Sequence, residues 1–163
     1  MAELLNTMPQ EGRVEWIGIR TERRAPIELV EGVEADISQG LIGDRYAGRS
    51  GKRQVTLVQY EHLAVIASLL GEKKINKGGA LDPARLKRNI VVSGINLLAL
   101  KGKQFVIGNA VLECTGLCHP CSFMEKTLGD GGYNAVRGHG GITARVVFSG
   151  LISLNDKVYK KTI

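Results

Sequence analysis

The sequence predicts a mainly β domain with a few short helices, a partly closed barrel with the helices at its rim. Three observations carry this reading. Glycine occurs 21 times in 163 residues, short β-branched runs recur along the chain, and only one stretch sustains a helical period. No internal repeat, linker or low-complexity segment interrupts the pattern. The chain is therefore expected to form one domain.

The elements follow in order. Val14 to Ile19, Leu29 to Ala35 and Gln54 to Val58 read as strands. Tyr60 to Leu70 is the clearest helix, because Leu63, Ile66, Leu69 and Leu70 share a face and Gly71 ends it. Asp82-Pro83 opens a short helix as N-cap and first-turn proline. Asn89 to Ser93 is the next strand, and Gln104 to Glu113 forms a hairpin about Gly108-Asn109. A short helix from Ser122 to Leu128 precedes a glycine-rich stretch from Gly129 to Gly141. Thr143 to Phe148 and Leu151 to Tyr159 are the last strands, joined at Ser149-Gly150.

Composition narrows the function classes. Lys+Arg number 22 against 16 Asp+Glu, a net charge of +6, while aromatics make up only 5%. No aromatic sits among basic residues as a base-stacking platform would require, so nucleic acid is not expected and a small anionic ligand fits better. The N-terminus lacks a basic start followed by an apolar core, and no apolar run reaches membrane-spanning length. With three cysteines, an odd number, a disulfide framework is not expected either. A cytoplasmic protein without a membrane partner is the expectation.

All three cysteines lie in one short stretch, Cys114-Thr-Gly-Leu-Cys118-His-Pro-Cys121. A thiolate is both a soft-metal ligand and a nucleophile, so four readings compete. A redox dithiol at Cys118 and Cys121 would need βαβ units around it, and consecutive strands surround it instead. An iron–sulfur loop of three thiolates would be expected early in a long run of alternating strands and helices, not near the end of the chain. Zinc would draw on the three thiolates with His119 or His139. In the last reading Cys121 acts alone, and Cys114 is a small buried hydrophobe.

Three other segments join arginine to glycine or to a strand mouth. Gly40-Leu-Ile-Gly43-Asp44-Arg45-Tyr-Ala-Gly48-Arg49 leads to Arg53, Arg88-Asn89 opens an apolar strand, and Arg137-Gly-His139-Gly140-Gly141 lies near the cysteines in sequence. Glycines let backbone N–H groups approach an anion, and arginine grips phosphate with two donors. Alternatively, Asp44 pairs with Arg45 and the segment is a solvated turn. Together with a thiol, these segments suggest a phosphate-bearing ligand with a soft centre.

The order of these motifs resembles the MOSC domain, the C-terminal domain family of molybdenum cofactor sulfurase, over residues 11–158, which implies that 1–10 and 159–163 are terminal extensions. The resemblance rests on Gly40-Leu-Ile-Gly-Asp-Arg45, Gln54-Val-Thr-Leu57 with Glu61, Arg88-Asn89-Ile-Val-Val-Ser-Gly94, Cys118-x-Pro-Cys121, Gly138-His-Gly-Gly-Ile142 and Gly150-x-Ile152 with Asp156. It implies a β-barrel-like fold binding a molybdenum–pyranopterin cofactor, with Cys121 at the position of the family's invariant cysteine as metal ligand and catalytic residue. It also implies cofactor contacts from Arg88 and Asn89, then Arg45 and Arg53, with Arg137 and Gly140 flanking the pocket. His139 departs from the basic residue expected there. Stand-alone members of the family look like reductases of N-hydroxylated bases and related N-oxygenated compounds. The small-molecule substrate would then be reduced with electrons from a donor protein in trans, because the chain shows no flavin, haem or dinucleotide signature. The resemblance also admits a sulfur carrier with a persulfide on Cys121, or a cofactor-binding module without catalysis. No lysine has a Schiff-base setting, so pyridoxal phosphate is not expected.

Overall fold

A computed structural model describes residues 1–45, 51–71 and 79–162. Gly48 and Arg49 of the first arginine–glycine segment lie outside the described residues. Seven strands form the barrel: β1 (Gly12–Ile19), β5 (Val55–Gln59), β6 (Ile90–Ser93), β7 (Gln104–Ile107), β8 (Ala110–Leu117), β9 (Ile142–Phe148) and β11 (Lys157–Lys160). Their order is β11-β7-β8-β9-β5-β6-β1, and β1 pairs back onto β11 with Gly12 opposite Val158. That pairing closes the ring and removes its free edges. β2 (Glu28–Leu29) adds to β1, while β3 (Gly32–Asp36), β4 (Gly40–Leu41) and β10 (Gly150–Ser153) make a separate small sheet.

Alternation along the strands explains two cores. Val55, Leu57, Ile90, Val92, Phe105, Ile107, Leu112, Ile142 and Ala144 point into the barrel. On the opposite face, Val58 and Val91 meet Leu63 and Ile66 of α2 (Tyr60–Leu70), together with Met124, Leu128 and Val136. β5 and β6 are parallel, with α2 in the connection between them, and the middle of both strands is buried on both faces. This accounts for their continuous apolar runs. Met124 and Leu128 belong to α3 (Ser122–Leu128), which packs on α4 (Gly132–Val136).

The structure corrects several expectations. Leu29 to Ala35 is two strands in two different sheets, not one. Leu151 to Tyr159 is likewise broken: Asn155 turns the chain at φ 71, sending β10 to the small sheet and β11 to the barrel. The glycine-rich stretch contains the helix α4, whose composition argues against it. The Glu125 carboxylate accepts the Gly131 and Tyr133 N–H groups, supplying the capping that the glycines lack. A short helix α1 (Ala2–Asn6) also forms in the expected N-terminal extension.

Candidate functional site

The cysteine loop begins where β8 ends and finishes at Cys121, just before α3. Cys114 is buried at the core, where loss of solvent pushes its thiol pKa up. Cys118 is also buried, at 2% exposure, whereas Cys121 is exposed. The loop therefore presents one thiol to solvent. Among the described residues no three His, Cys, Asp or Glu side chains come together as a metal-holding group.

Beneath the loop, Arg88 acts as a tie. Its guanidinium donates from Nε to Gly140 O at 2.8 Å, from Nη1 to Leu86 O at 2.9 Å and from Nη2 to Cys118 O at 3.4 Å. Burial presses its pKa down, the sulfurs of Cys118 and Cys121 oppose that shift, and a guanidinium keeps its charge regardless. The Cys118 N–H donates to Gly141 O at 2.8 Å, fastening the loop a second time. The two glycines are required by contact. A Cβ on Gly140 would stand 2.1 Å from Cys118 O, and one on Gly141, at φ +88, would stand 1.9 Å from Leu57 O.

Arg53 approaches the same loop from the other side, its Nη2 3.8 Å from Cys118 Sγ. The chain before Arg53 is held by Thr115, whose hydroxyl donates to Lys52 O and lies 2.8 Å from the Thr143 hydroxyl. Asn89 knits the floor. Its Oδ1 accepts from the Thr56 N–H at 3.1 Å, and its Nδ2 donates to Gly18 O at 3.2 Å, joining β5, β6 and β1. Arg20 and Arg45 are paired through the backbone: the Arg45 N–H donates to Arg20 O at 2.5 Å, and the Arg20 N–H donates to Asp44 Oδ1 at 2.9 Å. Asp44 therefore braces the backbone of Arg20.

These residues meet around a cavity of about 530 Å³ that Cys121 lines. Among the described residues its cationic wall comprises Arg20, Arg45, Arg53, Lys87 and Arg88, with Asp44 as the one carboxylate. Thr56, Asn89, Phe123 and Met124 complete it. The volume lies in the range of small-molecule sites. A second cavity, of about 640 Å³, is lined by Gly102, Lys103, Glu113, Lys160 and Lys161 among others, with neither cysteine nor arginine among the described residues.

Of the residues singled out in the sequence, Cys121, Arg45, Arg53, Arg88 and Asn89 converge on this cavity. Gly140 lies under it, against Arg88. Arg137 is exposed, does not line it, and donates to Asn134 Oδ1 at 3.4 Å. His139 packs edge-on to His62, ring centroids 4.9 Å apart, and its buried Nδ1 has no hydrogen-bond partner among the described residues. Sequence reasoning missed Arg20, Lys87, Phe123 and Met124. Lys87 and Phe123 carried a usable signal, one flanking Arg88 and the other lying two residues past the thiol. Arg20 carried none, since it opens a run of charges that reads as a solvated loop.

A family model described as the MOSC domain matches residues 33–159. Among curated proteins, none matches the chain. Several solved structures share the fold. The YUAD protein from Bacillus subtilis superposes with a TM-score of 0.76 at 21% identity, covering 93% of this chain and 97% of that one. YiiM from Geobacillus stearothermophilus gives 0.69 at 15% identity, over 93% and 75% of the two chains. YiiM from Escherichia coli gives 0.66 at 16%, over 93% and 70%.

Proposed function

The chain belongs to the MOSC domain family, and from that premise we propose that it binds a molybdenum–pyranopterin cofactor in the Cys121 cavity and reduces N-hydroxylated bases or related N-oxygenated compounds. The family is associated with binding of the molybdenum cofactor. The observation that carries the proposal is the combination, among the described residues of one cavity, of an exposed thiol with the arginines Arg20, Arg45, Arg53 and Arg88.

The residues fit such a group on chemical grounds. A thiolate suits a soft metal already bound by sulfur, and a phosphate needs cationic donors. Cys121 would ligate the metal. Arg20, Arg45 and Arg53 would hold the anionic end, joined by the two Arg88 N–H donors not spent on carbonyls. When bound, the cofactor supplies two-electron oxygen-atom chemistry. The reaction balances as hydroxylamine plus two electrons and two protons giving amine and water, with the electrons delivered by a donor protein in trans. Around it, the protein's own contribution is placement: the Arg88 tie and the Gly140-Gly141 contacts fix where Cys121 stands.

The exposure of Cys121 also favours a second reading, in which the thiol takes sulfane sulfur from a persulfide donor, releasing that donor's thiol, and passes it on. Two assays separate the readings. Protein loaded with the cofactor and supplied with a chemical reductant should convert an N-hydroxylated base to the amine. Failure to do so, with one added sulfur on Cys121 by intact-protein mass spectrometry, would replace the reductase with the carrier.

A further inference from the structure

The cavity has two chemistries. Arg53 and Arg88 reach the backbone and sulfur of the cysteine loop, while Phe123 and Lys87 line the cavity from α3 and from the turn before β6. Phe123 is 49% exposed although it is a large apolar side chain, and Lys87 Nζ stands over its ring, 5.8 Å from the centroid. The two come from separate elements that are bound together. The 3₁₀ turn Pro83–Leu86 ends at Lys87, which takes a left-handed conformation at φ 59 with its N–H on Ala84 O. Arg85 in that turn donates from Nη2 to Thr127 O in α3 at 3.1 Å. Lys87 and Arg88 are neighbours with different tasks: the Arg88 side chain is buried and tied to carbonyls, whereas Lys87 forms no ion pair among the described residues. A half-exposed aromatic ring with a cation over it, lining the same cavity as the exposed Cys121 thiol, suits a flat group that carries a negative charge.

We propose that Phe123 and Lys87 form a substrate-selecting lip, so that the site prefers an N-hydroxylated base at the nucleotide level over the uncharged free base. The base stacks on Phe123, and its phosphate is held by Lys87. This rests on the reductase reading given above, and it adds two specificity-determining residues and a charge requirement to it.

The test compares N-hydroxylated cytosine with N-hydroxylated cytidine monophosphate as substrates of the molybdenum-loaded protein. Cytidine monophosphate and cytosine are titrated into the same preparation by calorimetry as unreactive probes. The wild type should favour the monophosphate in both measurements. Lys87→Gln should raise KM for the monophosphate by roughly fivefold to tenfold and leave that for the free base alone. Phe123→Leu should raise KM for both by about tenfold, with recovery in Phe123→Tyr. Molybdenum content should be the same in all three variants, because the lip does not hold the cofactor. A wild type that prefers the free base, or a Lys87→Gln effect equal on both compounds, would overturn the lip. If neither compound is reduced but calorimetry gives the Lys87-dependent preference, the lip stands and the reductase reading falls.

Discussion

Arg88 spends three of its donors on the carbonyls of Leu86, Cys118 and Gly140, which belong to three separate segments. Such a group is structural and functional together. Arg88→Ala would leave three carbonyls without donors at roughly 1–3 kcal/mol each when buried, so a loss of about 3 kcal/mol or more is expected in urea unfolding. Arg88→Lys should recover only part of it, since an ammonium cannot span three separated acceptors from one plane. Gly140→Ala tests the other half of the tie. Its Cβ cannot coexist with Cys118 O, so the loop must shift, at a cost of about 2 kcal/mol. Sequence chemistry singled out Arg88 and Cys121. It did not foresee that the Arg88 charge would face backbone carbonyls, because two of the three acceptors, Cys118 O and Gly140 O, lie 30 and 52 residues away.

At the scale of elements, the site is built where β6, β8 and the turn before β9 meet, and β5 packs against that turn through Gly141. Strand patterns were legible where one periodicity ruled, as in the alternation of β7 (Gln104–Ile107) about the Gly108 turn. They failed where a strand changes sheet. The run from Leu151 to Tyr159 holds alternation on both sides of Asn155, so composition alone gives no reason to divide it. Helix α4 was illegible for a different reason, since its cap is a carboxylate from the preceding helix. Glu125→Ala should loosen α4 by about 1 kcal/mol, visible as faster amide exchange at Gly131 to Ala135 with the barrel strands unchanged.

At the scale of the whole molecule, barrel closure and positive charge set the conditions of function. The seven-strand ring holds the rim elements in one frame, and the net charge of +6 adds a long-range attraction for an anionic ligand. Cofactor affinity should fall as salt rises toward the point where the Debye length is about 3 Å, near 1 M. The histidine pair supplies a pH dependence. Burial and then neighbouring His139 hold the His62 pKa below its ordinary value of about 6.5, against the pull of Glu61. The folded state therefore resists protonation there. The associated stability is present above that value and lost as pH falls through the lower, folded one. Thermal melts should show a decline below about pH 6.5 that His62→Gln diminishes.

The most direct measurement is the molybdenum-to-protein ratio of protein purified from cells that make the cofactor, compared with Cys121→Ser prepared alongside. Near-stoichiometric metal in the wild type, lost in Cys121→Ser but kept in Cys114→Ser, is the expected result. Equal molybdenum in the wild type and Cys121→Ser would contradict Cys121 as the ligand that holds it.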